Sequence, residues 1–178
     1  PRALYFWFWC KFSGSAHGEP GWSSGAERSR SAGADSVRNT TTRTFDTGKV
    51  LEAACKGCTN CPLCQTRHNV VFGVGPHNAE VFFIGEGPGE QEDLRGEPFV
   101  GPAGRLLDEM LSIIDLGRQN CYIGNIVKCR PPHNRDPLQT EQDACIDWLR
   151  AQTRLLRPKI IVCLGRIAAM KLIREDFK

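Results

Sequence analysis

Cys55, Cys58, Cys61 and Cys64 recur three residues apart in a loop otherwise made of Gly, Asn, Pro and polar residues. Thiolates at C-x-x-C spacing suit zinc or an iron–sulfur cluster. The plain alternative is four ordinary thiols, but buried structural cysteines rarely repeat this way in a polar loop. Cys129 and Cys145 lie far downstream, flanking a Pro-Pro loop and a long helix. Two ligand sets are open. All four loop thiols would make a self-contained site; Cys58 and Cys61 with Cys129 and Cys145 would staple two distant segments. Cys10, Cys121 and Cys163 read as a stray and two strand-core residues.

A second constellation starts at Val81. An apolar strand runs into Gly85-Glu86-Gly87-Pro88-Gly89, and Glu90, Glu92 and Asp93 crowd behind it. A phosphate loop is a weak fit, because the P-loop lysine is missing and G-x-G-x-x-G is not matched. Like charges this close are costly unless some face solvent or serve chemistry. Handling water or a developing cation ranks above phosphate binding. Phe99 sits alone between Pro98 and Val100-Gly101 before a helix, where an aromatic ring can stack on a flat ligand. Asn125 ends another strand and offers both a donor and an acceptor. The stiff basic turn from Lys128 to Arg135 follows, where Lys128, Arg130 and Arg135 are able to meet phosphates, unless the run is only a solvated face. His133 reads as a solvated loop residue.

These residues need elements to hold them. The pattern predicts a helix from Thr47 to about Ala54, strands at Val70–Phe72, Glu80–Ile84, Cys121–Val127 and Ile160–Leu164, and a helix from Arg166 to Ile173. Leu107, Met110, Leu111 and Ile114 recur at i, i+3, i+4, i+7 and make one helix face, ending near Gly117. Asp136-Pro137 reads as N-cap and N1 of a helix whose stripe carries Leu138, Cys145, Trp148, Leu149, Gln152 and Leu156. Strands alternating with helices imply a parallel sheet covered on both faces, which places Asn125 and the glycine loop at its carboxyl edge. A sheet of this kind is expected to continue for at least one more strand.

Composition sets the bounds. The chain has 178 residues, is 40% apolar and 24% charged, and carries a net charge of +3. That is enough for one domain with a core, and it permits a nucleic-acid partner without requiring one. Residues 11 to 47 are Gly/Ser/Thr/Arg-rich and nearly free of aliphatics, so they cannot offset their ordering entropy. The domain reading is therefore a disordered or non-native extension over 1–47 and a folded domain over 48–178. The apolar patch Leu4 to Cys10 is too short to span a bilayer and lacks a signal-peptide cleavage site. Nine cysteines with an α/β pattern favour metal binding in a reducing compartment over a disulfide scaffold.

Taken together, the chain resembles the family 4, iron–sulfur branch of the uracil-DNA glycosylase superfamily. The resemblance rests on Cys58-Thr-Asn-Cys61 with Arg67 and Val71-Phe-Gly73, on GEGPGEQED at 85–93, GEPFVGPAG at 96–104 and NIVKCRPPHNR at 125–135, and on Cys145 with Trp148-Leu149. It implies a three-layer α/β/α sandwich with a central parallel sheet. It implies hydrolysis of the N-glycosidic bond of uracil in DNA, leaving an abasic site for base excision repair. A [4Fe-4S] cluster is expected on Cys58, Cys61, Cys129 and Cys145, leaving Cys55 and Cys64 as spectators. Phe99 would stack on a flipped uracil, Asn125 would pair with its polar edge, and Glu92 would sit near C5 and crowd out a thymine methyl. Glu86 and Gly87 would line the sugar side, and Asn134 with Glu86 would place the attacking water.

The family also carries a His-Pro motif near its C-terminus, and none of His17, His68, His77 or His133 matches it. The expectation is therefore a chain incomplete at its C-terminus, lacking the last strand and a donor to the departing base. Uracil-containing DNA is the expected partner, with no membrane association, a monomeric state and a cytoplasmic location. Two alternatives remain at this stage: a non-catalytic iron–sulfur DNA-binding module, and an iron–sulfur electron carrier.

Overall fold

Phe82, Phe83 and Ile84 form the middle of the sheet because consecutive strand residues face opposite sides and both sides are covered. The computed structural model describes residues 9–11, 48–174 and 176. Its strands are β1 (Trp9–Lys11), β2 (Val81–Gly85), β3 (Tyr122–Asn125) and β4 (Ile160–Cys163). They lie in the order β1-β4-β2-β3. β2 is parallel to both β3 and β4, and β1 adds antiparallel to the outer edge of β4. The helices are α1 (Gly48–Lys56), α2 (Glu90–Arg95), α3 (Pro102–Ser112), α4 (Gln139–Leu156) and α5 (Arg166–Leu172).

Two apolar clusters flank the sheet. Phe82, Ile84 and Tyr122 pack with Leu51 of α1, Leu149 and Leu156 of α4 and Ala168 of α5. Phe83, Ile123 and Val162 face the other way, onto Leu107 and Leu111 of α3. The expected α/β/α sandwich is therefore present. Phe82 and Tyr122 meet edge to face across β2 and β3, with ring centroids 5.2 Å apart. Burying each such side chain contributes about 1.5–3 kcal/mol.

Several expected boundaries differ. Val70–Phe72 is buried but is not a strand; Val71 N–H donates to the Lys128 carbonyl, and only Val74 forms a bridge, to Ile123. The segment meets the edge strand β3 at that single bridge and does not extend it into a ladder. α3 ends at Ser112, and the left-handed residue beyond it is Asp115 rather than Gly117, whose N–H instead donates to the Asn120 side chain. α4 begins after Leu138, not at Asp136-Pro137, because the Asp136 carboxylate is turned to Arg166 at 2.7 Å. Glu141 accepts the Leu138 N–H and a two-pronged bond from Arg135, which closes the first turn. Leu138, expected on the buried stripe, is exposed, while Cys145, Leu149, Gln152 and Leu156 are buried as expected. The extension expected over 1–47 lies outside the described residues except for Trp9–Lys11. Among the described residues no helix is long and apolar enough to cross a membrane.

Candidate active site and thiol cavity

β2 and β3 run in register so that Gly85 and Asn125 end their strands side by side. The pairing carries on past them, Ile126 N–H donating to the Gly85 carbonyl at 2.9 Å and Val127 N–H to that of Glu86 at 3.1 Å. The Asn125 side chain is buried at this carboxyl edge, and its Oδ1 has no hydrogen-bond partner. An unpaired buried acceptor costs about 1–3 kcal/mol, so it marks a place where a donor is expected to arrive. A Cβ on Gly85 would lie 2.5 Å from Phe99 Cζ and 2.6 Å from Asn125 Oδ1. The ring and the amide therefore meet over a floor that only glycine leaves open.

Phe99 adopts φ 55°, a left-handed conformation that is strained for an aromatic residue. Glu92 helps hold it: Oε1 accepts the Val100 N–H at 2.9 Å and the Gly101 N–H at 2.8 Å, at the start of α3. This is a structural duty of Glu92 that its spacing in the sequence did not reveal.

The crowding expected among the acidic residues dissolves in three dimensions. Glu90 is exposed and lies 3.6 Å from Arg130. Asp93 is fully buried and accepts from the His68 and Asn69 backbone and from the His68 ring at 2.7 Å. Glu92 is half-buried and spent on the Val100 and Gly101 amides, and Glu86 is half-buried beside the glycine loop. Burial raises its carboxyl above the usual range, Asp136 raises it further, and Arg166 opposes both. Gly87 packs on Val127, where a Cβ would come within 2.7 Å of a methyl group, so the loop after β2 and the turn after β3 lie together.

The basic turn is less free than its charge implied. Lys128 is buried and cannot meet a phosphate; its Nζ donates to the Asn125 carbonyl at 2.8 Å and to Gln152 Oε1 at 2.6 Å. Burial lowers its pKa to about 8, against nearby thiols that pull it up. Arg135 is engaged by Glu141. Asn134 is exposed, with φ 53°, and its Oδ1 accepts from Arg130 Nε at 2.8 Å. Lys128, read from the sequence as a phosphate contact, and Gln152, read as one residue of a helix stripe, are supporting residues whose roles the linear pattern missed, because only the buried hydrogen bonds of Lys128 join them to Asn125.

Behind Lys128 lies a cavity lined by Cys55, Cys58, Cys61, Cys64, Cys129 and Cys145, with Arg67 and Trp148. The loop after α1, the turn after β3 and helix α4 converge there. Three of its sulfurs receive donors: Trp148 Nε1 to Cys58 at 3.2 Å, Arg67 Nη1 to Cys129 at 3.2 Å, and Lys128 N–H to Cys145 at 3.3 Å. Among the described residues no three Cys, His, Asp or Glu side chains draw together around a single ion. Thiols lining one cavity, with N–H donors on the sulfurs, are the kind of donor set that zinc or an iron–sulfur cluster uses. Burial raises Cys145 to about 11 and Cys55 to about 12.

The signature of the uracil DNA glycosylase superfamily matches residues 72–176. This chain belongs to the uracil DNA glycosylase superfamily. The superfamily match covers the glycine loop, Phe99, Asn125 and α4, and leaves an unrelated electron carrier without support. Curated relatives include the type-4 uracil-DNA glycosylase of Archaeoglobus fulgidus, 55% identical over 112 residues, or 63% of this chain and 56% of that protein. That of Thermotoga maritima is 48% identical over 120 residues, 67% of this chain and 62% of that protein. That of Sulfurisphaera tokodaii is 52% identical over 110 residues, 61% of this chain and 50% of that protein. This superfamily member thus spans between half and about three-fifths of the length of these relatives.

Proposed function

We propose that this chain carries uracil-excision chemistry: hydrolysis of the N-glycosidic bond of uracil in DNA, leaving an abasic site for base excision repair. One observation carries the reading, the unpaired Asn125 oxygen buried against the Phe99 ring at the sheet edge. A uracil flipped from the stack offers a flat face, a ring N–H and a neighbouring carbonyl. Phe99 stacks on the face, Asn125 Oδ1 accepts the N–H, and Asn125 Nδ2 donates to the carbonyl. Cytosine presents an acceptor where uracil presents that N–H, so it would leave the buried oxygen unpaired and be rejected.

Bond cleavage develops positive charge on the sugar and negative charge on the leaving base. The Asn125 amide N–H serves the base. A donor aimed at developing charge supplies about 3–4 kcal/mol in favourable cases. Glu86, in its ionised form, serves the sugar side; Gly87 leaves room there, and Asn134 with Glu86 orients the water. Glu92 keeps the wall beside the pyrimidine C5 in place and so helps exclude a thymine methyl. The enzyme acts as a monomer in the cytoplasm.

A [4Fe-4S] cluster on Cys58, Cys61, Cys129 and Cys145 is part of the same proposal. It is supported by the donors that three of those four sulfurs already receive. When bound, the cluster supplies a covalent tie among three segments rather than a reacting atom. The test is incubation with a uracil-containing oligonucleotide followed by alkali. Strand cleavage at uracil, absent with a cytosine control, is expected; an intact strand refutes the excision reading. Anaerobic reconstitution with iron and sulfide should give a brown protein, the colour lost in Cys145→Ala and kept in Cys64→Ala.

A further inference from the structure

A second side chain besides Glu92 holds the loop that carries the left-handed Phe99. Arg118, in the turn after α3, donates from Nη1 to the Pro98 carbonyl at 2.9 Å and from Nη2 to the Phe99 carbonyl. Its Nε donates to Asp108 Oδ1 of α3 at 3.0 Å. All three guanidinium nitrogens are therefore used, Nη1 and Nη2 on consecutive carbonyls, and Nε together with Nη2 on Asp108 of the helix that the loop precedes. Gly104 completes the hold, because any Cβ there would overlap the Phe99 carbonyl. Glu92 thus grips the amides just after Phe99, and Arg118 grips the carbonyls on and just before it.

We propose that Arg118 is a positioning residue that sets the stacking plane of Phe99, and through it the grip on the extruded base. The inference rests on the excision reading for its consequence, while the clamp itself stands on the geometry alone. Arg118 does not reach the Asn125 amide; it acts from the outer side of the loop, in a cleft shared with Arg95 and Arg105. A lysine cannot replace it, since a single ammonium lacks the planar fork that spans two carbonyls and a carboxylate.

The experiment has two arms. In the first, amide exchange is measured on the wild-type chain and on Arg118→Lys without DNA. Exchange at Val100 and Gly101 should quicken about tenfold or more, while Leu149 in α4 stays unchanged; unchanged exchange at Val100 and Gly101 overturns the clamp. In the second, uracil release is measured for Arg118→Lys, Phe99→Leu and the double variant. Arg118→Lys should raise KM about tenfold while kcat moves far less, the mark of lost binding rather than lost chemistry. In the Phe99→Leu background the same change should add less than about twofold, because the two residues act in one chain of cause. Fully additive losses overturn the link to Phe99. If the wild-type chain releases no uracil while the amides of Arg118→Lys loosen, the excision reading falls and the clamp stands.

Discussion

At the residue scale, the molecule tolerates two local costs in the same place, a desolvated amide oxygen on Asn125 and a left-handed aromatic at Phe99. Neither helps the fold, and unfavourable features kept together in a cleft point to ligand chemistry. Asn125→Ala removes both the acceptor and the donor. Uracil release should fall about a hundredfold, near the size of one lost transition-state donor, while thermal stability holds or rises. A variant with full activity would remove Asn125 from the site. Glu86 offers a pH test. Its carboxyl is raised by burial and then by Asp136, so the active carboxylate forms only above the ordinary glutamate range. The acid limb of kcat should therefore sit above about 4.5 and move to lower pH in Asp136→Asn, which removes a negative neighbour. Arg166→Met should move it to higher pH. A limb that ignores both changes would show that Glu86 does not govern the profile.

Elements set the precision with which these residues meet. α3 begins where the Phe99 loop ends, and Glu92 accepts the two amides that lead into it, those of Val100 and of the N-cap residue Gly101. Gly104→Ala drives a methyl group into the Phe99 carbonyl. Overpacking of this kind costs about 1–3 kcal/mol, so the melting temperature should drop by several degrees, with uracil release falling further than stability alone explains. The first turn of α4 is closed by Glu141, whose carboxyl is pulled below its usual range by its bond to Arg135. A depressed folded pKa stabilises the fold above the unfolded value, near 4.5, and that stability is lost as pH falls through the folded value. Glu141→Gln should lower stability at neutral pH by about 1–3 kcal/mol and flatten the acid slope of the unfolding free energy. An unchanged slope would place the acid sensitivity elsewhere.

For the whole molecule, the link between its two ends is Lys128. Its backbone N–H donates to Cys145 at the thiol cavity, and its ammonium supports the Asn125 carbonyl and Gln152. Gln152 in turn donates to the Phe72 carbonyl at 2.8 Å, so α4, the end of β3 and the segment before β2 share one buried polar network. Removing iron from the reconstituted protein with a chelator should lower the melting temperature and weaken uracil release together. Loss of stability with undiminished activity would separate the cavity from the pocket.

The sequence by itself determined the layers and the cast. The short apolar runs of the Val81 and Cys121 segments, the Leu107–Leu111 helix face and the C-x-x-C repeat are local patterns, and each is physically complete within a short window. Phe99 and Asn125 were legible for the same reason, since each stands where a strand or loop must end. What only the tertiary structure decided is which neighbours those residues answer to. The burial of Lys128, the dispersal of the acidic cluster, the start of α4 after Leu138 and the reach of Arg118 to the Phe99 loop all depend on contacts between distant segments. Such contacts leave no trace in spacing, because hydrogen bonds and desolvation act through space, and a charged side chain reads the same in a string whether it ends in water or beneath an active site.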